Sequence, residues 1–208
     1  MKNWHLSYPP AVQEAQILLS VARAQALKLM EHLSPFCSKI GIVGSVRREQ
    51  EYVKDIELCC TPNREIVPTL FDTTTQRCSR FVHEAKNLGE VLKGNPADGR
   101  YMQIMLPSGI KLDLFIPQAH DYYRQYAIRT GSATYSAQII ALGWRKLGWC
   151  GTEHGLRREE YCTHDGNGWK WNNRETGQEL PPAWESEREF FDWLKVPFRH
   201  PKHREVYR

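Results

Sequence analysis

The sequence of 208 residues predicts an α+β fold in two subdomains. Three patterns carry that expectation: apolar residues at three- and four-residue spacing near the N-terminus, alternating apolar runs in the centre, and helical stretches broken by Gly, Trp and Pro turns beyond it. With 41% hydrophobic and 25% charged residues the chain has enough apolar material for a packed core and is too apolar for a disordered one.

In chain order, Val12, Ala15, Leu19, Ala22, Ala26, Leu29 and Leu33 paint one face of a helix that Ser34-Pro35 ends. A short apolar strand, Ile40 to Val43, leads into Gly44-Ser45 and a charged loop. In Lys54 to Cys60, Ile56 and Leu58 alternate with Asp55, Glu57 and Cys59, so a strand places both carboxylates on one face and sends adjacent Cys59 and Cys60 to opposite faces. A helix is expected around Arg80 to Val91. YMQIML and IKLDLFI, joined by Pro107-Ser108-Gly109, read as a hairpin that puts Asp113 on a strand face.

Pro117 closes the first subdomain, 1–118, and 119–208 forms the second. The second subdomain begins with a tyrosine-rich helix. Ser132 then caps a helix running to about Leu147, with Gly148 as its stop. Asp165 to Pro182 reads as hairpins and loops, and a short helix spans Glu187 to Leu194.

Charge is blocked along the second subdomain. Residues 117–158 carry six basic and two acidic side chains, 159–194 three against nine, and 195–208 five against one. Two basic segments suit a polyanion, although counting alone does not decide it. The six cysteines contain no C-x-x-C pair and are read as reduced, intracellular thiols. The histidines lack zinc-ligand spacing. An apolar leader and any 18-residue apolar run are missing, so no membrane partner and no secretion are expected.

The chemistry-bearing constellation is Asp55, Glu57 and Asp113. Like charges on neighbouring strands repel and raise one another's pKa, so the cluster calls for a cation; hard oxygens select Mg²⁺ or Mn²⁺. Two such ions can activate a hydroxyl and steady a leaving phosphate. Just upstream, Gly44-Ser45-Val46-Arg47-Arg48 supplies a glycine, a hydroxyl and planar guanidinium forks suited to phosphate.

In these residues the chain resembles the family X, polymerase beta-like DNA polymerases of the nucleotidyltransferase superfamily. The matching stretches are GSVRR with DIE, GEVLKGN through KLDLFIP, RTGS, and EREFFDWLKVPFRHPKHR, from about Gly41 to Arg204. The resemblance implies a catalytic palm with a mixed β-sheet and flanking helices over 1–118, and a C-terminal nucleotide- and DNA-binding subdomain over 119–208. It implies a DNA-directed polymerase that joins a nucleotide to a primer 3′-hydroxyl with release of pyrophosphate, in gap filling or repair. Its partners would be nucleoside triphosphates and a primer-template or gapped DNA duplex.

By the same resemblance Asp55, Glu57 and Asp113 hold the metals. Gly44, Ser45, Arg48 and the backbone at Lys54 hold the β and γ phosphates. Thr130, Gly131 and Ser132 shape the sugar pocket, and Tyr135 and Ser136 lie against the base, unless Tyr135 packs in the core. Arg47 either supports its loop or pairs with a nearby carboxylate. Lys111 meets primer phosphate, and Arg145, Lys146, Lys202 and Arg204 meet DNA. The chain departs from the family where Ile128 and Arg129 replace an aromatic pair before T-G-S. It carries no counterpart of the lyase domain, so deoxyribose-phosphate removal is not expected. Two competing readings are a template-independent or non-DNA nucleotidyltransferase and a non-catalytic nucleic-acid-binding module.

Overall fold

The computed structural model describes residues 16–66, 76–77, 79–95, 100–172 and 178–206. Val12 and Ala15, expected at the start of the first helix, lie outside them. Ile17–Leu18 (β1) is extended and pairs with Tyr52–Val53. The helix therefore begins later than the apolar spacing suggests, at Leu19–Leu33 (α1). Pro35 then forces a tight 3₁₀ turn, Ser34–Phe36, into Cys37–Ile42 (β2).

Gly44–Arg47 (α2) is a single helical turn where a loop was expected. Gly44 makes it possible by adopting φ 65°. Next come Tyr52–Val53 (β3), Asp55–Pro62 (β4), the short pair Glu65–Ile66 (β5) and Gln76–Arg77 (β6), and Ser79–Asn87 (α3). The helix expected to reach Val91 stops at Asn87. Glu90–Gly94 (β7) is instead an edge strand paired with Tyr101–Met105 (β8). At Gly89 any Cβ would meet the Met105 carbonyl, so only glycine fits where β7 closes on β8.

Lys111–Phe115 (β9) completes a five-stranded sheet of order β2-β4-β9-β8-β7. Gly109 closes the β8–β9 hairpin at φ 77°, donating its N–H to Leu106. The β4–β9 pair is parallel and the other pairs are antiparallel, which makes the sheet mixed. One face is sealed: Ile56, Leu58, Leu112, Leu114, Met102 and Ile104 pack under Ala22, Ala26, Leu29 and Leu33 of α1 and Phe81 and Ala85 of α3.

The C-terminal part opens with Tyr122–Thr130 (α4). A helical run follows over 133–146, made of Ala133–Tyr135 (α5), a π-helical stretch Ser136–Ala141, and Leu142–Lys146 (α6). Ser132 accepts the Tyr135 N–H at 3.2 Å as the N-cap, and Gly148 (φ 77°) stops the run, as expected. Two hairpins follow, Trp149–Thr152 (β10) with Gly155–Arg158 (β11) and Cys162–His164 (β12) with Trp169–Trp171 (β13). Glu187–Trp193 (α7) is the last helix, capped by Ser186.

A second core joins Ala127, Tyr135, Ile140, Trp144, Trp149, Phe190 and Phe191. A small third cluster, Val43, Cys59, Phe115 and Tyr122, seats α4 on the open face of the sheet. Cys59 and Cys60 do face opposite sides, one toward α4 and one toward the α1 core. The architecture is α+β. Among the described residues no helix is long and apolar enough to cross a membrane.

Candidate nucleotidyl-transfer site

Parallel pairing of β4 and β9 sets Asp55 opposite Lys111 and Glu57 opposite Asp113. Register partners share a sheet face, so the three carboxylates and Lys111 lie together on the face that α4 only partly covers. Burial pushes the Glu57 carboxyl up to about 7, and the negative charges of Asp55 and Asp113 push the same way. Arg48 and Arg129 pull it back without restoring its ordinary value. The raised value thus reports a desolvated carboxyl first and its like-charged neighbours second.

Glu57 also depends on Gly44, because a Cβ at that position would run into the Glu57 carboxylate. The glycine of the GSVRR motif makes room for a metal-type ligand as well as for a turn. Asp113 is held from the side. Its Oδ1 accepts from the Tyr101 hydroxyl at 2.9 Å and from the Gln103 amide at 2.9 Å. Burial and then the bond donated to Asp113 push the Tyr101 hydroxyl up to about 12, so it stays a protonated donor. Tyr101 and Gln103 were missed in the sequence reading. Their signal was available in the alternation of Tyr-x-Gln on the strand that the Pro107-Ser108-Gly109 turn folds back onto Asp113.

The donor set is right in kind for a hard divalent cation: three carboxylates, adjacent in register, with one destabilised by its like-charged neighbours. Yet among the described residues no three His, Cys, Asp or Glu side chains converge tightly enough to hold a metal ion. Asp113 instead faces Tyr101 and Gln103 on the neighbouring β8.

The arginines of the GSVRR turn are committed elsewhere. Arg47 grips Glu187 with both nitrogens at 2.9 and 2.8 Å, donates to the Thr130 hydroxyl at 2.6 Å, and stacks on Tyr126 at 3.9 Å. It pairs with a carboxylate, one of the two roles expected for it. Arg48, expected on phosphate, donates to Glu205 at 2.6 Å and to the Thr130 carbonyl at 2.8 Å. Arg204, expected on DNA, is fully buried and also grips Glu187, at 2.6 and 3.1 Å. A guanidinium without solvent exposure cannot meet a duplex, so Arg204 is a structural ion pair. Burial opposes ionisation of Glu187, but the two guanidiniums outweigh it and hold its pKa below the ordinary carboxylate range.

The T-G-S segment stands at this junction. Thr130 is buried between Arg47 and the Tyr126 carbonyl, and the Ser132 N–H donates to the Arg204 carbonyl at 3.0 Å. Gly131 packs so closely on Tyr135 and Ser136 that a Cβ would clash. Tyr135 is fully buried and packs in the second core. Ser136 donates to the Ile128 carbonyl at 2.6 Å and lines an open groove of about 380 Å³ with Arg124, Ile128, Arg129 and Trp144. Ser45 lies in α2, and Lys54 is exposed just before β4. Arg145 and Lys146 are exposed at the end of α6, and Lys202 is exposed 3.8 Å from Glu49.

Residues 126–205 match the family model described as DNA polymerase beta thumb. That segment takes in the last turn of α4, the 133–146 helical run, both hairpins and α7. It points to a DNA polymerase-related role with DNA as partner. Among curated proteins none matches the chain.

Proposed function

We propose that the chain is a family X type, DNA-directed DNA polymerase, with a nucleotidyltransferase palm over 1–118 and a nucleotide- and DNA-binding subdomain over 119–208. One observation carries the reading: a sheet face bearing Asp55, Glu57 and Asp113 adjoins a segment similar to a polymerase thumb. Neither part alone would be enough, since such carboxylate faces serve several nucleotidyl transfers and a thumb only binds.

In this reading Asp55, Glu57 and Asp113 hold Mg²⁺ or Mn²⁺. Bound there, the ions would lower the pKa of the primer 3′-hydroxyl and neutralise charge on the transferring phosphate. The chain's own contribution is positioning and fixed charge. Gly44 keeps the floor beneath Glu57 open, and Tyr101 and Gln103 fix the direction of Asp113. Lys111, beside Asp55 in the register, offers a cation to primer phosphate. Exposed Arg145, Lys146 and Lys202 grip the DNA backbone.

The test is extension of a primer on a one-nucleotide gap, with each deoxynucleotide and ribonucleotide supplied separately and Mg²⁺ or Mn²⁺ added. Template-directed addition supports the reading. Addition to a single strand regardless of template would make the chain a tailing transferase. An Asp113→Ala protein that extends as well as the parent would refute the assignment of the carboxylates.

The turn of Asp113 toward Tyr101 and Gln103 favours one second reading, a nucleic-acid-binding module without catalysis. Salt-sensitive DNA binding with no extension under any metal would establish it.

A further inference from the structure

The arginines around the cleft divide into two kinds. Arg47, Arg48 and Arg204 are locked in the Glu187 and Glu205 pairs, and Arg124 grips Asp121 at 2.6 and 2.5 Å. Arg129 takes no hydrogen bond and no ion pair among the described residues. Its guanidinium carbon sits over the Phe115 ring, 4.1 Å from the ring centroid. Phe115 stands two residues beyond Asp113 on β9, opposite Cys59 as Asp113 is opposite Glu57, so the stacked cation sits on the carboxylate face. The outer side of Arg129 is exposed while its inner side rests on protein. Burial pulls its pKa down, and Glu57 is the foremost charge opposing that pull.

The same side chain lines the groove of about 380 Å³ along α4 and α5, a volume that suits a small ligand. Arg129 therefore stands between a groove able to take a nucleoside and the face where a phosphate would meet the carboxylates. An unpaired planar fork at such a boundary is matched to a phosphate oxygen. Arg48 is already engaged by Glu205 and Thr130, which leaves the substrate's charge without its expected partner.

We propose that Arg129 is a substrate-binding residue that grips a phosphate oxygen of a nucleoside triphosphate, with the nucleoside in the α4–α5 groove. This rests on the nucleotide-transfer reading above and assigns it a binding residue outside the GSVRR turn. Contact with the Phe115 ring restrains the guanidinium in advance, so less freedom is lost on binding.

The test is equilibrium binding without primer, by titration calorimetry, of a Mg²⁺ deoxynucleoside triphosphate, Mg²⁺ tripolyphosphate and the bare deoxynucleoside. Arg129→Gln should weaken both phosphate ligands about ten- to a hundredfold, the effect of losing a charge-assisted hydrogen bond, and leave the nucleoside unchanged. Arg129→Lys keeps the charge and loses the fork. It should fall between the two, and it carries the test if the Gln protein does not fold by circular dichroism. Equal triphosphate binding by parent and variants would overturn the assignment while leaving the polymerase reading intact. A loss for the nucleotide but not for tripolyphosphate would place Arg129 on the nucleoside and also overturn it. Parent protein that binds no triphosphate overturns the assignment of Arg129, and primer extension decides the polymerase reading separately.

Discussion

Replacing Glu187 with Gln preserves its shape and removes one charge, but that charge serves two guanidiniums, one partly and one fully buried. Arg47 and Arg204 each donate two bonds to it, at 2.6 to 3.1 Å, and Arg204 has no exposed surface at all. Breaking a buried ion pair from one side costs about 3–5 kcal/mol, because the remaining cation stays desolvated and unpaired. Here two cations are left, so the upper end of that range is expected. For a chain of this size each kcal/mol lowers Tm by roughly 2–4 °C, which gives a fall of roughly 10–20 °C.

The sign with pH follows from the lowered pKa of Glu187. A carboxylate depressed in the folded state contributes stability above its unfolded pKa and loses it as pH falls through the folded value. The parent should therefore lose stability below about pH 4, whereas the Gln protein should lack that component. Urea unfolding at pH 7 and at pH 3, followed by circular dichroism, measures both. A loss under about 1 kcal/mol at pH 7 would refute the argument that Glu187 holds Arg47 and Arg204 as a desolvated ion cluster.

Glu57 titrates in the opposite sense. Its carboxyl is raised from 4.5 to about 7, so without a cation the folded state is destabilised progressively as pH rises through that window. The loss amounts to about 3 kcal/mol above pH 7. Glu57→Gln should flatten this part of the pH–stability profile, and Mg²⁺ should restore the parent at pH 8; superimposable metal-free profiles would contradict the shift. Gly44→Ala should destabilise by more than about 1 kcal/mol, since it combines φ 65° with a clash on Glu57, and thermal unfolding reads it directly. Replacing Arg145 and Lys146 together with Ala should weaken duplex binding and reduce the log Kd against log salt slope by about 2. An unchanged slope would place the DNA elsewhere.

The local grammar of the chain was legible in advance. Alternation in DIELCC and KLDLF fixed which residues share a face, because a strand's side-chain period is two whatever surrounds it. Ser132 and Gly148 bounded their helical run, since capping and positive φ are properties of individual residues. The helix end at Asn87 was not legible, because Gly89 and the Met105 carbonyl meet only when β7 closes against β8. Phe115 and Arg129 likewise read as unrelated letters, a strand residue and a helix residue. Packing α4 on the sheet laid one upon the other.

The sequence by itself determined the two central strands and the face on which their carboxylates lie, consequences of a side-chain period of two. Only the tertiary structure decided how the arginines are used. A guanidinium reaches whichever anion the folded chain brings near it, so Arg48 meets Glu205 and Arg204 meets Glu187, while Arg129 rests on Phe115.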